Sequence, residues 1–141
     1  AGVESTVISA DGFDASEVWT VGADAEGVFF TSHTFPGPDN GVQAFLDDYE
    51  AAKGEPVGTV AFGALGADAV NIAVAAALAA CSTNGADLIA AMANVSVDTV
   101  TGTTSYVGVG GTPKRDVSIL TVTDGAPALA DAFYPSVVAG G

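Results

Sequence analysis

The chain has 141 residues, 49% of them apolar, and its 17 acidic residues stand against only Lys53, Lys114 and Arg115, for a formal net charge of -14 at pH 7. This length and apolar fraction suffice for one ordinary domain with a core and exclude a disordered chain. The charge excludes nucleic acid and anionic lipid as partners, because phosphate recognition depends on clustered Lys and Arg, and its simplest meaning is solubility.

In chain order, the N-terminal "AGVESTVISADG" lacks the basic start and long apolar region of a signal peptide. Within it "TVISA", residues 6–10, reads as a strand, and "DGFDASE" supplies turn chemistry followed by helix-start residues, with Asp14 or Ser16 as the N-cap. Residues 27–35, "GVFFTSHTF", form a second strand whose continuous apolar start predicts burial on both faces and a parallel sheet, and "PGPDNG" ends it. From Asn40 to Lys53, Val42, Phe45, Leu46 and Tyr49 recur at helical spacing, with Asp47, Asp48 and Glu50 opposite and Gly54 as the stop. This helix is expected to lie on a sheet with its acidic face in water.

Residues 60–81, "VAFGALGADAVNIAVAAALAAC", are long and apolar enough to raise the question of a membrane span. Asp68 and Asn71 near the middle, the dominance of alanine and the lack of a basic flank favour a buried helix. Cys81, the sole cysteine, rules out an internal disulfide and a multi-thiolate metal site, and is expected to be a small buried group at the helix end. "STNGADLIAAMANV" predicts a surface helix over 82–95 with a stripe of Leu88, Ile89 and Met92. The runs 99–107 and 116–125, joined by "GVGGTPKR", read as a strand pair, and the tail "APALADAFYPSVVAGG" offers aromatic contacts and a flexible glycine pair with no clear further element. The sum is an α/β protein with parallel-sheet segments, flanking helices and a C-terminal strand pair, with too few parallel strands to cover the long helix on both sides.

The ordered segments "SADGFDASE", "AEGVFFTSHTF", "FLDDYEAAKGEPVGTVAFGALGADAV", "CSTNGADLIAAMANVSVDTVTGTTSYV" and "KRDVSILTVTDG" resemble the solute-binding proteins of branched-chain amino acid type ATP-binding cassette (ABC) transporters. These have the two-lobed periplasmic binding protein type I fold. The resemblance spans nearly the whole chain but only the C-terminal part of such proteins. It implies that residues 1–141 are a C-terminal fragment contributing elements to both lobes, with the N-terminal part of the same protein, an ABC permease in the membrane and a small amino acid or amide-like ligand as partners. It further implies an extracytoplasmic location, at the periplasm or as a cell-surface lipoprotein, and ligand capture between the lobes by hinge closure. Exposed crossover segments would also allow a homodimer of the fragment.

Asp11 is the leading site residue, because ligands bind beyond the carboxyl ends of parallel strands. From turn chemistry alone it is an Asx-turn or a helix cap; the resemblance gives it the ligand's α-ammonium group. Phe62 either walls an apolar ligand side chain, as the resemblance implies, or packs in the core with Leu65, and Phe13 is a further candidate for the cleft. His33, the one histidine, reads as a hinge or surface residue, and no catalytic residue, metal ligand or cofactor site is assigned. "DGFDASE" falls short of a calcium loop and "GVGGTPKR" of a phosphate cradle. Two alternatives remain beside transport: a small-molecule sensor receptor of the same fold, and a hydrolase using Asp11, for which Lys114 in its loop is the one conceivable cationic helper.

Overall fold

The computed structural model describes residues 4–19 and 21–135. Eleven elements follow in order: β1 (Ile8–Ser9), a 3-10 turn (Asp11–Phe13), α1 (Ser16–Trp19), β2 (Phe29–Ser32), α2 (Val42–Lys53), α3 (Val60–Ala80), α4 (Gly85–Met92), β3 (Ser96–Thr99), β4 (Gly102–Ser105), β5 (Val117–Thr123) and β6 (Ala126–Phe133). The chain builds part of a sheet, leaves it after β2 to form the helices and the β3–β4 hairpin, and returns to it at β5.

The sheet has four strands in the order β1-β2-β5-β6. β1 and β2 are parallel, with Ser9 opposite Phe30, while β2–β5 and β5–β6 are antiparallel. The expected parallel arrangement therefore holds only at one edge, and the sheet is mixed. Burial along β2 alternates, with Phe30 and Ser32 inside and Phe29 and Thr31 half-buried, so an apolar run did not require a strand buried on both faces. Phe30 is central to a core that includes Ala25, Leu120 and Val122. The Trp19 ring stacks on it at 5.9 Å and the Phe13 ring leans on it at 5.5 Å.

The expected pairing of residues 99–107 with 116–125 is not made. β3 pairs with β4, and β5 lies between β2 and β6. The run 99–107 is broken by a turn at residues 100–101, where Gly102 takes φ 116 and accepts a hydrogen bond from the Thr99 hydroxyl at 2.6 Å. The tail holds a strand that its composition concealed. Asp124 (φ 54) and Gly125 (φ 73) both occupy the left-handed region, the two-residue hairpin geometry that an Asp-Gly pair favours, and turn β5 into β6. The terminal glycine pair lies outside the described residues.

α2 and α3 occupy nearly their expected ranges. Asn40 fixes the entry to α2: its Oδ1 accepts from the Val42 N–H at 3.1 Å and its amide donates to the Phe35 carbonyl at 3.0 Å. Gly54 ends the helix in the left-handed region, its N–H bonded to the Glu50 carbonyl. Instead of lying on a sheet, α2 packs against α3, where a Cβ on Gly63 would stand 2.6 Å from Val57 and 3.7 Å from the Phe45 ring. α3 is long and apolar enough to cross a membrane by length and composition. It is not buried all round: a single stripe of Ala61, Ala64, Asp68, Ile72 and Ala76 faces inward, and Val70, Val74 and Leu78 face outward. Cys81 is exposed instead of buried, because it takes the left-handed position (φ 47) at which the chain leaves α3. Asn84 caps α4 by accepting from the Ala86 N–H at 2.9 Å, and α4 lies at the surface with Ile89 outward.

Candidate functional site

Asp11 stands just past the carboxyl end of β1, where the chain tightens into the 3-10 turn through Phe13 N–H to Ala10 O and Asp14 N–H to Asp11 O, both 3.0 Å. Because β1 and β2 are parallel neighbours, the ends of both strands emerge on the same side of the sheet. His33, the first residue after β2, is thereby brought beside Asp11, with Nε2 2.9 Å from Oδ2 and side chains 47% and 46% exposed. A carboxylate only accepts, so the shared hydrogen belongs to Nε2. Phe62, near the start of α3 and 48% exposed, places its ring 5.9 Å from the imidazole at 60°. Two of the sequence's site residues, Asp11 and Phe62, are thus joined through a histidine that sequence reasoning left outside the site. The third, Phe13, turns its ring to the core against Phe30 and supports the Asp11 turn from beneath.

Directly behind this surface lies a second carboxylate. Asp14 is buried and accepts a hydrogen bond from the Ser32 hydroxyl, and Ser16 is the first residue of α1. Ser32 also points at the Thr34 carbonyl, 3.0 Å away. The single hydroxyl hydrogen of Ser32 is thereby divided between two acceptors, Asp14 and the Thr34 carbonyl. Burial pushes the Asp14 carboxyl above its usual range, opposed by the Ser32 hydrogen bond and by His33 and reinforced by Asp11.

A cavity of about 810 Å³ opens on the segment after β2, the β3–β4 hairpin, the loop before β5, and β6. Its lining includes His33, Asp39, Lys114, Arg115, Asp116 and Tyr134. Lys114 does lie in the loop, as its sequence setting suggested. Arg115 reaches out of this loop to Asp68 of α3 at 3.0 Å. The buried Asp68 carboxylate also accepts from the Thr101 hydroxyl and, at 3.3 Å, from the Thr101 N–H. Helix, hairpin turn and returning loop are so tied at one carboxylate, which explains the acidic residue inside an apolar helix.

The family model described as "Periplasmic binding protein" matches residues 1–127. Among solved structures, a leucine-binding protein from Thermotoga maritima superposes with TM-score 0.80 at 21% identity, covering 95% of this chain and 39% of that one. A branched-chain amino acid transporter substrate-binding protein from Streptococcus pneumoniae, solved with isoleucine, gives 0.75 at 23% identity over 95% of this chain and 38% of its own. An R. palustris solute-binding protein in complex with benzoate gives 0.66 at 25% identity, covering 82% and 32%. The chain therefore spans well under half the length of these structures. No curated protein matches. The likeness shows a mixed α/β architecture corresponding to part of the type I binding-protein fold. With the model matched over nearly its whole length, the chain belongs to the periplasmic binding protein family, which implies an extracytoplasmic location.

Proposed function

We propose that this chain is the C-terminal part of the solute-binding component of an ABC importer, contributing elements to both lobes of a two-lobed receptor that closes on a small amino acid. The topology supports the division: β1, β2, β5 and β6 form one unit, α2–α4 with β3–β4 form another, and the chain passes between them after β2 and before β5. Hinge closure would bring the lobes together on a ligand that contacts both, and the closed form would be offered to a membrane permease.

The observation that carries this reading is the half-exposed Asp11 carboxylate at the end of β1, with the exposed Phe62 ring one imidazole away. The carboxylate suits an α-ammonium, and the ring suits an apolar side chain. An anion such as benzoate would meet Asp11 with like charge. Titration calorimetry on the protein with isoleucine and benzoate is expected to detect isoleucine alone, and Asp11→Ala is expected to weaken it about 10- to 100-fold, the value of a hydrogen bond to a charged group. Unchanged affinity in Asp11→Ala overturns the site. The Asp11–His33 contact also gives the hydrolase alternative the imidazole it lacked. The family is typically non-enzymatic, however, and the pair alone is an orienting contact without an assigned nucleophile.

A further inference from the structure

The contact between His33 and Asp11 has a bearing on ligand selection that depends on the ammonium reading of Asp11. We infer that His33 is a specificity-determining competitor: its Nε2–H occupies the Asp11 oxygen that a ligand nitrogen needs, so that a cationic amine displaces it and a neutral amide does not.

Oδ2 of Asp11 accepts from Nε2 at 2.9 Å, and with both side chains nearly half exposed the contact is open to exchange with a solute. With the imidazole in its neutral form, exchange of its N–H donor for that of an amide gains nothing, since both bonds are of the same class. An ammonium brings a full positive charge and three donors to the same carboxylate, and charge-assisted hydrogen bonds are roughly twice as strong as neutral ones. The displaced imidazole has room, because His33 also lines the large cavity, whereas the Phe62 ring backs it on the α3 side. His33 thus narrows the ligand class from amino acids and amides together to solutes with a cationic nitrogen.

His33 is the one histidine in the chain, so histidine-specific 15N labelling gives a single imidazole to observe. Ethylammonium chloride and acetamide serve as probes, with the Asp11 carboxyl carbon followed in parallel and assigned by its loss in Asp11→Asn. Ethylammonium is expected to move the Asp11 carbon and to carry the His33 Nε2 signal toward its position in Asp11→Ala, while acetamide leaves both in place. His33→Ala is expected to bind ethylammonium about two- to tenfold more tightly, the worth of one neutral hydrogen bond. If the Asp11 carbon moves but His33 does not, displacement is wrong and the ammonium reading stands. If ethylammonium moves neither signal, the ammonium reading fails and takes this proposal with it. An equal response to acetamide, or a His33→Ala variant that binds no tighter, overturns the selectivity.

Discussion

The sheet unit and the helical unit differ in what ties their elements together. Around β2 the centre is apolar: Phe30, Leu120, Val122 and Ala25 are buried together, with the Phe13 and Trp19 rings against them. The helical unit also buries apolar side chains, Val42, Ala64, Ile72 and Val95 among them, but the inward stripe of α3 carries a carboxylate, Asp68, satisfied by Thr101 and Arg115. Each unit leaves apolar side chains exposed, Ile8, Leu129 and Phe133 on the first and Val70, Val74, Leu78 and Ile89 on the second. What sets them apart is that the elements of the second are tied together by directional polar bonds at one carboxylate, in a chain that matches less than half of each solved structure.

The strongest test of this contrast is Phe30→Ala, which should destabilise the protein by about 4 kcal/mol in chemical denaturation, since it opens a cavity where several rings meet. Hydrogen exchange should then rise in β2 and β5 while α3 remains protected. Asp68→Ala should cost about 3 kcal/mol, because it leaves the Arg115 charge and the Thr101 N–H without their partner. Its exchange pattern should be the reverse, with α3 and the β3–β4 turn opening first. If both substitutions raise exchange everywhere alike, the two units are one cooperative body and the contrast fails.

The smallest expected effect lies at a buried carboxyl group inside the sheet unit. Asp14 has its carboxyl pKa raised above the ordinary 3.8 chiefly by burial. A group shifted in this direction contributes stability below its unfolded value and loses it as pH rises through the folded one. Thermal midpoints of the protein and of Asp14→Asn, measured from acid to neutral pH, should therefore diverge, with the native protein losing ground to the variant as pH rises. A constant difference would show that Asp14 does not hold its proton in the fold.

Local signals carried much of this architecture. The apolar spacing of Val42, Phe45, Leu46 and Tyr49 and the stop at Gly54 mark α2, and the strand followed by Asp11–Gly12 marks the turn that carries the Asp11 carboxylate. What stayed hidden depends on partners remote in sequence. β6 is made of "APALADAF", with no β-branched residue, and forms because β5 offers it an edge; the sequence signal for it is the Asp124–Gly125 pair. His33 meets Asp11 only because β1 and β2 are parallel and end side by side, a relation that neither strand states alone. Asp68 was legible as an oddity in an apolar helix, but not as the anchor for Thr101 and Arg115.

The register of β2 against β5, with Phe30 opposite Leu120, has a kinetic consequence. The whole helical unit lies between these two strands in sequence, so pairing them from an extended chain would require closing a very long loop. The α3–α4 hairpin and the β3–β4 turn rest on nearby contacts and form at small entropic cost. Once they have collapsed, the ends of β2 and β5 are held close. The expected order of assembly is thus helices before sheet, with the core around Phe30 the last part of the molecule to be made.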